Sequence, residues 1–296
     1  MNQIRSTRPW TRVSAKLLAR SGWATMLTVC TSVQVFAQPA AKTELAAHRA
    51  VYDITLERAA TSSGIVELTG RMVYELKGSQ CAGFVQQMRF VTQTVDRAGK
   101  PSIMDMRSHF KEMPNGKSFE FKTEQLRDRK LVESATGDAE RGAVGAELAI
   151  RLKKPKSRNF NIKRTVVFPV QHSIELLAAA RAGKSIYASD LYDGSDKGTK
   201  YYATTAVLGK PNSGDLNSTL PKAENAEALD GLQSWPVALS YFDPQKGKGD
   251  ELPSYELSFH FFENGVSRSL IIDYGHFAIR GRLTSLDLLE TKPCEN

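Results

Sequence analysis

The sequence contains no uncharged apolar run of the roughly 18 residues that a membrane-spanning helix needs, which argues against a multi-span membrane protein. It also lacks the bias of a disordered chain, because 41% of its 296 residues are hydrophobic and 24% are charged. A chain of this composition folds around an apolar core. The formal net charge of +8 is the composition figure that first suggests a function. Excess positive charge favours nucleic acid or an anionic membrane surface as a partner.

The first 37 residues contain no acidic residue and carry most of that positive charge. Residues 1–20 hold five basic side chains, and residues 22–37 form a short apolar stretch that ends in Val35, Phe36 and Ala37. A basic segment, an apolar segment and a small residue before the cleavage point are typical of a secretory signal peptide. We therefore expect export across the membrane and cleavage after about Ala37. Removing residues 1–37 lowers the formal net charge from +8 to +3, so we predict no nucleic-acid partner.

Cysteine is scarce in this sequence. Cys30 lies in the expected signal peptide, which leaves Cys81 and Cys294 in the mature chain. A lipid anchor on Cys30 is an alternative to cleavage, although Val29 stands where a lipoprotein signal has a small residue. Two cysteines in an oxidising compartment most simply form one disulfide bond, which would stabilise the fold by up to about 5 kcal/mol. A reactive redox pair is the alternative, and no Cys-x-x-Cys spacing favours it.

Apolar residues alternate with polar ones along most of the chain from Ala47 onward. Examples are Tyr52, Ile54 and Leu56; Val66, Leu68, Met72, Tyr74 and Leu76; Phe119 and Phe121; and Tyr255, Leu257, Phe259 and Phe261. Side chains two residues apart share a face only in an extended strand, so these sets predict half-buried strands. Turn-forming segments such as residues 193–198 separate them. The sequence therefore predicts an all-β fold, a large antiparallel sheet of about 12–14 strands that curls or closes. No repeat or second core is visible, so we predict that residues 38–296 form a single domain.

Residues 171–183 break this alternation. They read QHSIELLAAARAG, with apolar residues at helical spacing, an alanine-rich body and a terminal glycine. These features predict one short helix that packs on the sheet or plugs it.

The sequence has no pattern of catalytic residues, cofactor-binding residues or metal ligands that would indicate an enzyme. Its five histidines lack the His-Glu-x-x-His spacing of metal sites. Ser108 and Lys111 match the Ser-x-x-Lys pattern of acyl enzymes, but in a strand they would face opposite sides. The Gly183–Ser185 triplet resembles the end of a phosphate loop, yet it ends a predicted helix and does not open one. We predict no cofactor and no metal.

One basic stretch remains in the mature chain, at residues 151–164. Its seven basic residues are Arg151, Lys153, Lys154, Lys156, Arg158, Lys163 and Arg164, with no acidic residue among them. It is either the solvated tip of a hairpin or a contact for an anionic partner such as lipid headgroups.

Several segments together carry a resemblance to a known family. They are AHRAVY at 47–52, GRMVY at 70–74, CAGF at 81–84, VFPVQH at 167–172, DLYDGS at 190–195, WPVALSYF at 235–242 and the tail from Leu288 to Cys294. Residues 45–296 resemble the envelope integrity protein B (EipB) family, a periplasmic domain-of-unknown-function family of proteobacteria. The resemblance implies a spiral-like, broken barrel of about fourteen strands and a Cys81–Cys294 disulfide. It also implies a role in envelope maintenance and a functional link to a periplasmic tetratricopeptide-repeat protein.

Two functional hypotheses follow from these observations. The first is a non-enzymatic periplasmic protein that supports cell-envelope integrity through protein–protein interaction. The alternative is a periplasmic carrier of a lipid or lipoprotein, because the implied fold is similar to carriers with a half-open β cavity. A hydrolase is a third class, but no spacing of a nucleophile and a base supports it.

Overall fold

A computed structural model describes residues 44–142, 147–212, 216–245 and 252–291 of the chain. These residues form fifteen strands and two α-helices. The strands are β1 His48–Ala59, β2 Ile65–Ser79, β3 Gly83–Asp96, β4 Pro101–Glu112, β5 Ser118–Arg127, β6 Lys130–Arg141, β7 Leu148–Lys154, β8 Arg158–Ile162, β9 Val166–Val167, β10 Ile186–Leu191, β11 Tyr202–Leu208, β12 Ser234–Phe242, β13 Tyr255–Phe262, β14 Ser267–Asp273 and β15 Phe277–Leu288. The helices are α1 Pro169–Arg181 and α2 Leu216–Thr219.

All fifteen strands belong to one sheet with β1 near its middle. The order is β8-β7-β6-β5-β4-β3-β2-β1-β15-β14-β13-β12-β11-β10-β9, so β8 and β9 are its two edges. Neighbouring strands are antiparallel except β9 and β10, which are parallel. A twisted sheet of this size curls on itself. The prediction of a large, broken antiparallel barrel is confirmed. The sheet has fifteen strands, one more than the upper end of the predicted 12–14, and β9 has only two residues.

Residues that the alternation predicts to lie on the inner face of the sheet are buried, with one exception among those named here. Tyr52 and Ile54 of β1 are buried, as are Phe119 and Phe121 of β5. Val66 is an exception, since 55% of it is exposed although the pattern grouped it with buried Leu68. The register of β2 against β3 shifts at this position, and a β-bulge turns a side chain to the other face.

Helix α1 is confirmed with shifted boundaries. It begins at Pro169 and ends at Arg181, two residues earlier at each end than predicted. Proline suits the first position of a helix because the amide that it lacks would have no intrahelical partner there. After the last turn, the amides of Gly183 and Lys184 donate to the carbonyls of Ala180 and Ala179.

Helix α1 lies across one end of the curled sheet. At its start, the Glu112 carboxylate at the end of β4 accepts hydrogen bonds from the amides of Val170 and Gln171, both at 2.8 Å. At its other end, Arg181 donates to the carbonyl of Glu263 in the β13–β14 turn, at 3.0 Å. The helix packs in one buried cluster with Leu76, Phe84, Leu208, Trp235 and Phe261. Each of these side chains belongs to the strand end on that same side of the sheet, so α1 covers that end.

Much of the segment between β11 and β12 is built into the core. It contains α2, and Asn217 of that helix is buried. Asn217 donates to the Ala226 carbonyl at 2.7 Å and contacts the guanidinium of Arg268. Leu229 of the same segment is also buried and belongs to a core cluster with Leu283 and Leu286 of β15.

Two predictions concern residues outside the described part of the chain. Residues 1–37 and Cys294 both lie there, so the signal peptide and the Cys81–Cys294 disulfide stay predictions. The sheet is compatible with this disulfide because His48 pairs with both Leu76 and Leu288. Two strand spacings, about 10 Å, separate these two positions. Cys81 follows Leu76 by five residues and Cys294 follows Leu288 by six, which is ample length at about 3.3 Å per residue.

Candidate functional site: a cavity inside the curled sheet

The curled sheet encloses a cavity between its two halves. Two adjoining spaces of about 470 and 270 Å³ share much of their lining. The shared residues are Met72, Gln86, Met88, Pro169, Leu191, Tyr241, Leu257 and Leu270. Ligand pockets in proteins span about 300–1,000 Å³, so the cavity has the size of a small-molecule or acyl-chain site.

The wall of the cavity consists of inward-facing side chains, which alternate along each strand with outward-facing ones. Met72 of β2 and Met88 of β3 come from one half of the sheet, and Leu257 of β13 and Leu270 of β14 come from the other. Methionine is unbranched and fills irregular space, so a wall of this kind adapts to the shape of a flexible apolar ligand.

A buried histidine lies at the end that α1 covers. His172 of α1 has its Nε2 3.1 Å from the Thr204 hydroxyl. Thr204 donates its single hydroxyl proton to the Ser189 carbonyl at 2.8 Å, so Nε2 of His172 carries the proton and donates. Burial lowers the pKa of His172 to about 4. Burial therefore holds His172 in its neutral form, with Nε2 as a hydrogen-bond donor to Thr204.

Glu112 is the buried carboxylate at the same end, with 4% of its surface exposed. Burial raises the pKa of Glu112 to about 7, although its hydrogen bonds from Val170 and Gln171 act in the opposite direction. Its role is to hold the first turn of α1.

The opposite end of the cavity is lined by acidic and tyrosine side chains. Asp193 accepts a hydrogen bond from the Ser195 amide at 2.9 Å. Burial raises the pKa of Asp193, and the nearby carboxylate of Asp196 adds to this shift. Asp196 in turn accepts a hydrogen bond from the Tyr202 hydroxyl. Both aspartates lie in the loop between β10 and β11.

Tyr241 and Tyr255 form a stacked pair beside these carboxylates. Their ring centroids are 4.3 Å apart and their planes differ by 17°. Burial raises the pKa of both phenols, and the charge of Asp193 adds to each shift. Tyr274 extends this aromatic wall, with its ring centroid 6.2 Å from that of Tyr255.

Gly194 allows the β10–β11 loop to pack closely against Phe121. Its φ of +72° is a conformation that favours glycine, and a Cβ on it would lie 2.4 Å from Cδ2 of Phe121. Phe121 is a buried core residue of β5. Because Gly194 has no side chain, the loop packs directly on this ring and its two aspartates reach the cavity.

Alternate side chains of β4 face opposite sides of the sheet, and one set faces the cavity. Met106, Ser108 and Phe110 line the cavity, whereas Arg107 points to the other face, where it binds Asp105 at 2.7 Å. Lys111 lies on that other face as well, as strand geometry predicts. The Ser-x-x-Lys pattern therefore makes no catalytic pair.

The basic stretch at residues 151–164 forms the β7–β8 hairpin and the segment after it. Arg151 binds Asp138 at 2.6 Å and Glu140 at 2.7 Å, and Lys153 binds Asp138 at 3.0 Å. These carboxylates belong to the neighbouring strand β6, so much of the positive charge at this hairpin is neutralised.

Of the remaining five basic residues of this stretch, two form ion pairs with described residues and three do not. Lys163 lies 3.6 Å from Glu147, and Arg164 binds Asp190 at 2.8 Å. Lys154, Lys156 and Arg158 form no ion pair with the described residues. None of the seven lines the described cavity, so an anionic partner at this hairpin would bind outside it.

No group of three or more His, Cys, Asp or Glu side chains among the described residues is arranged to hold a metal ion. In the same residues, no helix is long and apolar enough to cross a membrane.

Comparison with known proteins places these features in a family. Residues 39–290 match the EipB-like family. The cell envelope integrity protein EipB of Brucella abortus (strain 2308) is 39% identical over 256 residues, which cover 86% of this chain and 88% of that protein. A crystal structure of a beta-barrel-like protein with a domain of unknown function, also from Brucella abortus, superposes with a TM-score of 0.74 at 36% identity. It matches 83% of this chain and 99% of its own. The resemblance seen in the sequence is confirmed, and the chain belongs to the EipB-like family.

Proposed function

We propose that this chain supports cell-envelope integrity from the periplasm as a non-enzymatic binding protein. Its membership of the EipB-like family and the name of its relative from Brucella abortus, a cell envelope integrity protein, support the envelope role. The sequence features of the first 37 residues support export.

The cavity is the observation that carries this proposal, and it favours an apolar ligand such as an acyl chain of a lipid or lipoprotein. Its central wall consists of Met72, Met88, Leu257 and Leu270, contributed by both halves of the sheet. Each buried methylene group contributes about 0.8 kcal/mol. Ten buried methylenes would therefore contribute about 8 kcal/mol before the costs of association are subtracted.

The arrangement of polar groups supports binding without catalysis. Ser108 faces the cavity, but its hydroxyl has no hydrogen-bond partner among the described residues, so no base activates it there. His172 donates its Nε2 proton to Thr204, as its contacts require. A nucleophile needs a base within hydrogen-bond reach, and neither residue supplies such a pair.

A partner protein is the second candidate ligand, favoured by an exposed apolar surface. Leu131 and Val132 lie at the tip of the β5–β6 hairpin and are 59% and 53% exposed. Ile103 lies next to this tip, because its amide and carbonyl bind Asp128 of the hairpin at 2.8 Å. Adjacent exposed apolar residues are typical of interaction sites. A periplasmic tetratricopeptide-repeat protein is the partner that the family resemblance implies.

Native mass spectrometry of the mature protein, before and after incubation with phospholipid, tests the cavity. We expect one bound lipid per chain. Met88→Trp fills the cavity and should abolish binding, whereas Gln87→Trp places the same ring on the opposite, exposed face of β3 and should not. A wild-type protein that binds no lipid, or a Met88→Trp variant that binds it normally, would refute lipid binding in the cavity. Tight binding to the purified repeat protein that Leu131→Asp abolishes would then favour the second candidate.

A further inference from the structure

Three acidic side chains of the described lining point into the wide end of the cavity. Asp193 and Asp196 come from the β10–β11 loop, and Glu133 comes from β6, where it pairs with inward-facing Gln125. Glu124 also borders this space, but it lies on the other face of β5, where it binds Lys122 at 2.9 Å. Asp193, Asp196 and Glu133 are therefore the acidic residues of the described lining that face inward here.

No positive side chain balances these carboxyl groups from within the described lining. Arg107 is the basic residue that borders the cavity, and its guanidinium lies on the opposite face with Asp105. Lys200 approaches Asp196 at 3.9 Å but binds Asp243 more closely, at 2.8 Å. His48 and His172 border the other end, and burial lowers the pKa of each, which favours the neutral form.

The tyrosine wall offers a second, independent feature for a ligand. The Tyr241 and Tyr255 rings border this end of the cavity, and the Ser195 hydroxyl at the same end is buried with no hydrogen-bond partner among the described residues. Tyr202 directs its hydroxyl to Asp196. Aromatic ring faces attract cations, and tyrosine oxygens accept hydrogen bonds from ammonium groups.

We propose that the cavity selects an amphiphile with a positively charged amine or quaternary ammonium head group. The head lies between Asp193, Asp196 and the tyrosine wall, and the apolar chain extends along Met72 and Met88 towards α1. This proposal rests on the proposed function, in which the cavity holds an apolar ligand.

The energetics of burial support this selectivity. A carboxylate such as Asp193 loses hydration when the cavity is filled, and it is costly to bury without a counter-charge. An ammonium group supplies that counter-charge, whereas a phosphate or sulfate head would add a second negative charge. Anionic lipids are therefore disfavoured at this site even though the chain without residues 1–37 has a formal net charge of +3.

Two surfactants with the same chain and opposite charge provide the test. Dodecyltrimethylammonium and dodecyl sulfate would be titrated into the mature protein below their critical micelle concentrations, with binding followed by isothermal titration calorimetry. We expect the ammonium probe to bind at least about tenfold more tightly, a difference of about 1.4 kcal/mol. Non-specific attraction to a basic protein would favour the sulfate, so this preference cannot come from the net charge.

Variants of the carboxyl groups show whether the cavity is responsible. Asp193→Asn should reduce the preference for ammonium about tenfold, as the loss of one close charge pair predicts. Asp196→Asn serves the same purpose if the first variant does not fold, with circular dichroism as the check. Glu67→Gln removes an exposed carboxylate of β2 and should leave the preference unchanged.

The possible results separate this proposal from the proposed function. If neither probe binds, ligand binding in the cavity fails, and the partner-protein candidate of the proposed function is the one that remains. If both bind equally, if the sulfate binds more tightly, or if both aspartate variants keep the wild-type preference, the cavity remains a ligand site but the selectivity for a cation is refuted.

Discussion

The buried carboxyl group of Glu112 should make the stability of the fold depend on pH near neutrality. Burial raises its pKa from 4.5 to about 7, so the folded protein holds a proton that the unfolded chain releases at lower pH. Where the folded state binds more protons, stability falls as pH rises. The contribution of protonated Glu112 is therefore fully present below about pH 4.5 and is lost as the pH rises through about 7.

The size of this effect follows from the two pKa values. Between about pH 5 and about pH 8, Glu112 should lower the free energy of unfolding by about 2.5 kcal/mol, because each unit of pKa difference corresponds to about 1.4 kcal/mol. Glu112→Gln cannot ionise and should lose this dependence. The stability of the wild type relative to this variant should thus fall by about 2.5 kcal/mol over that range.

Urea unfolding of both proteins at the two pH values measures this difference directly. Taking the difference between wild type and variant cancels the other titrating groups, which the two proteins share. Glu67→Gln, on the exposed face of β2, is the matched control for the removal of one carboxyl group. An equal difference between wild type and Glu112→Gln at both pH values would show that Glu112 is not held in its neutral form by burial.

Two further predictions concern the covalent and steric constraints on the sheet. Cys81→Ser should lower the melting temperature and the free energy of unfolding, by up to about 5 kcal/mol, with an unchanged far-ultraviolet circular dichroism spectrum; an unaltered melting temperature would contradict the predicted disulfide. Gly194→Ala should destabilise the fold by about 2–5 kcal/mol in denaturant unfolding, because it adds overpacking against Phe121 to the cost of a left-handed backbone. Gly99→Ala has a similar φ of +75° but no neighbour within 4 Å, so it should cost only about 1–2 kcal/mol. Equal losses for the two glycine variants would refute the steric argument.

The strands and the helix could be predicted because each depends on local pattern. Phe119 and Phe121 face inward for the reason that the sequence indicates, a period of two residues. The bulge at Val66 could not be predicted in this way, because it depends on the register of β2 against β3 and not on the sequence of β2 alone. Strand β9 has only two residues, too few to show alternation by themselves.

The partners of the basic stretch could not be predicted for a similar reason. Residues 151–164 contain no acidic residue, so the stretch looks unbalanced along the chain. Asp138 and Glu140 lie on β6, directly beside β7, and supply the missing negative charge across the sheet. Charge counted along one segment of a β protein therefore overstates the charge that the segment presents.

The acidic lining of the cavity could not be predicted from the local sequence either. Asp193 and Asp196 were predicted to lie in a turn, which is where they are, but a turn sequence does not reveal what the turn faces. Gly194 was the available signal, because a glycine between two polar turn residues marks a place where the backbone packs closely. Its contact with Phe121 of β5, from the other half of the sheet, directs the loop inward, where its aspartates line the cavity together with Tyr255. A chain whose net charge is positive thus encloses a cavity lined by carboxyl groups, and this internal charge, rather than the net charge, governs which head group the cavity accepts.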